Sequence, residues 1–283
     1  MANTYTKTEL QMLHNELYDI LAEIIRVCDK HNIPYVIIGG SAIGAFFEQS
    51  ILPWDDDVDI AIKRADYDRF LEVAPKELGK DYFLQWLGTD PHTPFYFAKV
   101  RKNNTLFVEG MFAQLPIHHG IYIDVFPFDK IPDNLRLRKA QRVIANFFNC
   151  CFMGKEVWFW KHFGKPTVDN PTNRGPIPCL MNRIVDTLFT KRFIYRMLCL
   201  VQGWFNNSNT EFYNMVLMPK DHIAVKDFDN PEITQFGPIK ALMPSDVETY
   251  LRRHYPRLRR YIPEEEQANH HPAVLSFDTT KDK

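Results

Sequence analysis

The 283-residue sequence has no excess of either charge, with 34 Lys and Arg residues against 35 Asp and Glu. Such a chain has no global field to draw it to nucleic acid or to an anionic bilayer, so recognition of phosphate must be local. Cysteine is scarce. Cys28, Cys150, Cys151, Cys179 and Cys199 are odd in number and lack paired metal-ligand spacing, which argues against a disulfide framework and for reduced thiols. No window reaches the roughly 18 apolar residues of a membrane span, and the polar residues 1–7 lead into an amphipathic segment rather than a secretory signal. Neither Gly-x-Gly-x-x-Gly nor Gly-x-x-x-x-Gly-Lys-Ser/Thr occurs, which disfavours dehydrogenases and P-loop enzymes. Internal repeats and low-complexity segments are also missing. These absences leave a cytoplasmic protein, free or peripheral to the inner face of a membrane.

What is present reads as α+β. Leu10, Leu13, Leu17, Ile20, Leu21, Ile24 and Val27 recur at helical intervals and predict an amphipathic helix over residues 8–31. A short β-branched run, Tyr35-Val36-Ile37-Ile38, ends at Gly39-Gly40-Ser41, which reads as strand, glycine turn and helix start. Residues 57–62 alternate acidic or small residues with β-branched ones, the period of a strand. A helix over 64–74 closes at Pro75, and further strands are expected over 82–86, 96–101, 105–108 and 121–126. Beyond Pro132 the spacing becomes helical and aromatic over 135–162 and 181–205, on either side of a Pro- and Asn-containing stretch, 165–178. Residues 236–243 return to strand, and 245–255 predict a helix with Ser245 as N-cap and Glu248 completing a capping box. The organisation expected is a catalytic core with a mixed sheet over 1–132, a mainly helical accessory region over 133–263, and a mobile polar tail over 264–283.

The chemistry rests on carboxylates. On a strand, Asp57 and Asp59 point to one face while Val58, Ile60 and Ile62 enter the core. Two such groups repel unless a cation lies between them, and oxygen ligands suit Mg²⁺ or Mn²⁺, which also take substrate phosphates. The alternative is an edge strand with a solvated acidic face. Asp124, in an otherwise apolar strand, offers a third ligand or a structural ion-pair partner. Gly39, Gly40 and Ser41 open a helix whose free amides and hydroxyl can grip phosphate, or Ser41 is an ordinary N-cap. Lys99 and Arg101 share a strand face and either neutralise donor phosphate or pair on the surface. Asp55 and Asp56 are candidates to orient the ligands from behind, and Trp54 to pack beside the site or stack on a base. His118 and His119, just before the Asp124 strand, either touch substrate or are loop histidines. The aromatic, basic segments 146–160 and 192–205 are either the inner face of a helical subdomain or a membrane-contacting surface.

The order Gly-Gly-Ser, Asp-x-Asp and a later strand Asp resembles the nucleotidyltransferase superfamily. Within it, Pro53-Trp54-Asp55-Asp56-Asp57-Val58-Asp59 is similar to the signature of the LicD family, which includes bacterial phosphocholine transferases and the fukutin-related phosphoribitol transferases. Phe97-Ala98-Lys99-Val100-Arg101 with Thr105, Ile123-Asp124-Val125-Phe126-Pro127, Phe236-Gly237 and Met243-Pro244 extend the likeness. Phe47 stands where members commonly carry a basic residue, Ser50 where they carry glycine, and His254-Tyr255-Pro256 where they carry Tyr-Gly. The resemblance implies Asp57, Asp59 and Asp124 as metal ligands and catalytic groups for Mg²⁺ or Mn²⁺. It implies a CDP-activated donor such as CDP-choline and a glycan or glycolipid acceptor, as in lipopolysaccharide or teichoic acid modification, without nucleic acid. Transfer of a nucleotidyl group from an NTP, or a non-catalytic nucleotide-binding module, are the alternatives.

Overall fold

The computed structural model describes residues 5–163, 187–267 and 269–280. The expected connection 165–178, the start of the 181–205 helix and Cys179 lie outside them. The other four cysteines are free thiols.

Helix α1 (Lys7–Lys30) starts at Thr6, whose side chain accepts from the Glu9 N–H while Glu9 reaches back to the Thr6 N–H. Such a capping box contributes about 1 kcal/mol. Its predicted apolar stripe, Leu13 to Val27, is buried.

The chain continues through β1 (Tyr35–Ile37), α2 (Gly39–Glu48), β2 (Asp59–Lys63), α3 (Arg64–Glu77), β3 (Tyr82–Gln85), β4 (Ala98–Lys102), β5 (Leu106–Val108) and β6 (Tyr122–Ile131). The main sheet has the order β1-β2-β6-β4-β3. Strands β2 and β6 run parallel while β1–β2, β6–β4 and β4–β3 are antiparallel, which makes this the α+β arrangement with a mixed sheet that the sequence predicts.

Three local readings are corrected. Strand β2 begins at Asp59, so Asp57 lies in the extended approach to it, where only the Asp124 N–H to Val58 C=O bond continues the pairing. Helix α3 runs past Pro75 to Glu77, with the proline in its last turn. Strand β6 runs on through Pro127 to Ile131. Proline is tolerated there because β4 pairs with β6 only up to Val125 and the next neighbour on that side begins at Asp129.

After β6 come α4 (Leu135–Phe163), α5 (Lys191–Gln202), β7 (Phe212–Asn214), β8 (His222–Ala224), α6 (Val225–Asp229), β9 (Glu232–Phe236), β10 (Ile239–Met243), α7 (Val247–His254) and β11 (Val274–Ser276). Strand β7 pairs with the end of β6 and β8 with β7, so sheet membership crosses residue 132. The cap of α7 is Asp246, whose carboxylate accepts from the Thr249 N–H, whereas Ser245 donates its hydroxyl to Asp227. Over its described residues the tail, expected to be mobile, contributes strand β11 and contacts Asp56 through His270. It lacks apolar periodicity because main-chain pairing of β11 with β5, and polar contacts at His270, hold it.

A buried ion pair joins the layers. Arg64, at the start of α3, donates from Nε and Nη2 to the two oxygens of Asp129 on β6, at 2.9 and 2.6 Å, and from Nη2 to Gln202 on α5. Asn206 donates to Asp129 as well. Among the described residues no helix is long and apolar enough to cross a membrane.

Candidate active site

The register of the sheet brings the predicted residues together. Asp59 on β2 is the pairing partner of Asp124 on β6, and Asp124 is the partner of Lys99 on β4. Two carboxylates and an ammonium thus form one row across three adjacent strands. The Lys99 Nζ lies 2.8 Å from Asp124 Oδ1 and only 3.5 Å from the centre of the Tyr122 ring, with Phe95 on another side. Lysine is held here as a buried cation by a carboxylate and aromatic faces.

The glycines let the start of α2 approach the carboxylates. Strand β1 delivers Ile38, whose N–H bonds the Asp59 C=O, and Gly39 then turns the chain with φ +58°. A Cβ on Gly39 would lie 3.3 Å from Asp59 Oδ2, and one on Gly40 only 2.9 Å from Asp55 Oδ2. Ser41 Oγ accepts from the Asp59 N–H at 2.9 Å, fixing the start of β2. Ser41 is therefore neither an N-cap nor an open hydroxyl. The first helical bond is Ala42 N–H to Ile38 C=O, so the amides of Gly40 and Ser41 precede the intrahelical ladder.

The acids crowd one another. Burial, then repulsion from Asp57, Asp124 and Asp55, pushes the Asp59 carboxyl well above its ordinary range, against the pull of Lys99. Asp55 is raised likewise by burial and by Asp57, with which it shares a hydrogen bond, and Asp57 is raised chiefly by burial. Burial lifts Asp124 to about 6, although Lys99 opposes this. A divalent cation would relieve this repulsion, and the all-oxygen donor set matches Mg²⁺ or Mn²⁺. The residues present fit such an ion.

Asp56 behaves differently. Burial opposes its charge, yet hydrogen bonds from His270 and Tyr5 outweigh burial and hold it below the usual carboxylate range. Tyr5 donates at 2.6 Å, and the His270 backbone N–H and ring both reach its oxygens. His270 is raised to about 9, first by that hydrogen bond. Asp56, Asp57 and His270 have ligand atoms all within 4.8 Å of one another. A metal there must displace the imidazole proton and compete with Tyr5, whereas Asp57, Asp59 and Asp124 are linked by mutual repulsion beside Lys99 but do not bring three ligand atoms within that distance of one another. The unrelieved repulsion within the second set, rather than its spacing, is what calls for a cation.

Arg101 shares the Tyr122 ring and Glu109 with Lys99 but spends its hydrogen bonds on the scaffold. Arg101 is only 1% exposed, its guanidinium donating to Gln85 and to the Gly120 carbonyl. Trp54 packs against the main core. His118 is structural: its ring stacks on Phe83, Nδ1 accepts from the Gly120 N–H, and Nε2 donates to Asn103. His119 donates to the Leu115 carbonyl.

Sequence reasoning missed Tyr5, Tyr250 and His270, and marked Tyr255 only as a departure from the family pattern. The Gly39 N–H donates to the Tyr250 hydroxyl, which itself donates to buried Asp221. His254 contacts the same Asp221 oxygen, so α7 holds the glycine turn from behind. Tyr255 places its hydroxyl 3.9 Å from where a Gly39 Cβ would be. Burial, then the negative charge of Asp221 and those of Asp59, Asp55 and Asp57, raise its phenol. Tyr5, Tyr250 and His270 have no local signal, because each reaches the site across a long stretch of chain.

Residues 32–167 match the family described as LicD/FKTN/FKRP, nucleotidyltransferase domain. Over this domain, just under half of its length, the chain matches the LicD family. It is 22% identical over 279 residues to the lipopolysaccharide cholinephosphotransferase LicD of Haemophilus influenzae, covering 89% of this chain and 92% of the relative. An uncharacterized protein of Rickettsia typhi is 38% identical over 65 residues, 22% of this chain and 21% of its own length. One from Rickettsia prowazekii is 35% identical over 60 residues, 21% of this chain and 23% of its own. The family match contains the glycine turn, the Asp55–Asp59 run and Asp124, the residues that the sheet register gathers.

Proposed function

We propose that this protein is a metal-dependent phosphotransferase of nucleotidyltransferase type. In this reading it moves a phospho-alcohol group, such as phosphocholine, from a CDP-activated donor to a hydroxyl of a cell-surface glycan precursor. The observation that carries the proposal is the row Asp59, Asp124 and Lys99 with Asp57 beside it. Buried acids held in mutual repulsion are costly without a cation. The similarity to a lipopolysaccharide cholinephosphotransferase over most of the chain supports the choice of donor and acceptor.

Asp57, Asp59 and Asp124 would hold Mg²⁺ or Mn²⁺. Bound there, the metal supplies charge stabilisation for the attacked phosphorus and the leaving phosphate. Gly39 and Gly40 allow the amides at the start of α2 to come close to a donor phosphate. Lys99 balances Asp124 and limits the charge that the metal has to neutralise. Asp124 would complete the metal site or accept the acceptor hydroxyl's proton. His270, itself held by Asp56, lies against Asp57. Mass spectrometry of products from CDP-choline or NTPs, with and without Mg²⁺, tests the reading. Release of CMP with transfer of phosphocholine supports it. Transfer of a nucleotidyl group, or no turnover of any donor, overturns it.

Peripheral contact with an anionic bilayer accompanies this proposal. Residues 135–155 and 188–205 contain no acidic residue. Val143 and Phe147 on α4 and Phe193 and Leu200 on α5 are exposed beside Arg136, Lys139, Arg192 and Arg196. Large apolar side chains among cations fit a phospholipid surface. Co-sedimentation with phosphatidylglycerol vesicles is the expected result, reduced in Phe147→Glu/Phe193→Glu. Equal recovery of both proteins with the vesicles contradicts it.

A further inference from the structure

A cleft of about 460 Å³ lies beside the carboxylates, between α2 and the segment 254–266. Ile43, Leu258 and Ile262 give it apolar walls, while Lys220, Arg257 and Arg259 line it with charge. Arg259 is paired with Glu266 at 2.6 Å. Among the described residues Lys220 and Arg257 take part in no side-chain hydrogen bond or ion pair, so each keeps its charge available. Tyr255 is the shared wall. It lines the cleft, and its hydroxyl approaches Gly39 and the acidic row. Ile43 belongs to α2, whose first residue touches that row.

A cavity of this size falls within the range that takes a small ligand. Unpaired cations beside apolar walls are complementary to a molecule carrying phosphate on one side and a flat apolar ring on the other. The position next to a metal-type carboxylate site fits a nucleotide whose reacting phosphate must reach that metal. A purely sugar acceptor would need open polar acceptors, whereas His254 and Glu266 in the walls are already engaged by Asp221 and Arg259.

We propose that this cleft binds the nucleoside monophosphate portion of the donor, with Lys220 and Arg257 on its phosphate and Ile43, Leu258 and Ile262 against the base. The assignment rests on the nucleotide-donor reading above and gives its leaving group a location that neither the glycine turn nor Arg101 supplies. Arg101 is buried and engaged elsewhere, so the cations meeting the nucleotide come from the C-terminal part of the chain.

Calorimetry on the full chain tests this with CMP, cytidine and inorganic phosphate, each without metal, alongside steady-state turnover of CDP-choline. Lys220→Ala/Arg257→Ala, on exposed side chains, is expected to weaken CMP binding tenfold or more and to raise KM for CDP-choline, with kcat changed less. Cytidine binding should be nearly unaffected. Lys220→Gln serves as the milder variant should the pair fold poorly, with an intermediate loss expected. Unchanged CMP affinity in the double variant, or a raised KM for a phosphorylated glycan acceptor only, overturns the assignment. If the wild type binds CMP through these residues but turns over no CDP-alcohol, the cleft stands and the phosphotransferase reading fails. If turnover proceeds with an unchanged KM in the double variant, the reverse holds.

Discussion

Replacing Gly39 by alanine tests the close approach of α2 to the acids. Gly39 has φ +58°, a conformation in which an L-residue costs about 1–2 kcal/mol. For a chain of this size that corresponds to a fall in unfolding midpoint of about 2–8 °C. The added Cβ would meet Asp59 Oδ2 at 3.3 Å, so the carboxylate must give by tenths of an ångström. If misplacing a reacting group by 1 Å costs about a hundredfold, this smaller shift predicts a loss of about three- to tenfold in turnover. Both effects are separable: calorimetric melting reports the first, and turnover of CDP-choline well below the midpoint reports the second. Wild-type melting together with wild-type turnover would refute the placement of the glycine turn against Asp59.

Other outcomes follow from the same contacts. Arg64→Ala leaves Asp129 buried without its cation, and a loss of about 3–5 kcal/mol is expected by denaturant unfolding. Tyr250→Phe removes the acceptor of the Gly39 N–H and the donor to Asp221, which should cost about 1–3 kcal/mol and lower Mg²⁺ affinity in titration calorimetry. Burial, then the nearby Arg101, holds His118 down to about 4, below its ordinary value near 6.5. The unfolded chain therefore binds the extra proton first as pH falls, so His118 lowers stability progressively from about 6.5 to 4 and not above that window. Melting midpoints should decline less steeply across this range in His118→Asn than in the parent.

The mixed sheet was legible because its strands are β-branched runs bounded by turn residues, and α1 because its apolar residues keep a helical period. The Asp-x-Asp pair gained meaning from the residues around it, but its partner across the sheet is a matter of register, which periodicity does not encode. Asp59 beside Asp124 and Asp124 beside Lys99 follow from the pairing of β2, β6 and β4. Arg101 read like Lys99 because both occupy one strand face. Gln85 and Gly120, from other parts of the chain, are what bury it. His270 lies in a segment without period, and only the folded chain brings it to Asp56. Tyr255 was visible as a departure from the family pattern, and the structure puts that departure at the cleft beside the acids.

The most direct test of the metal-dependent transfer is CMP release from CDP-choline by the parent chain and by Asp59→Asn, each shown to be folded by circular dichroism. Asp59 sits in the centre of the acidic group, next to Asp124 on β6. Mg²⁺-dependent release by the parent, abolished by EDTA and by Asp59→Asn, is the predicted result. Full release by Asp59→Asn, or release by the parent that persists in EDTA, would contradict the account.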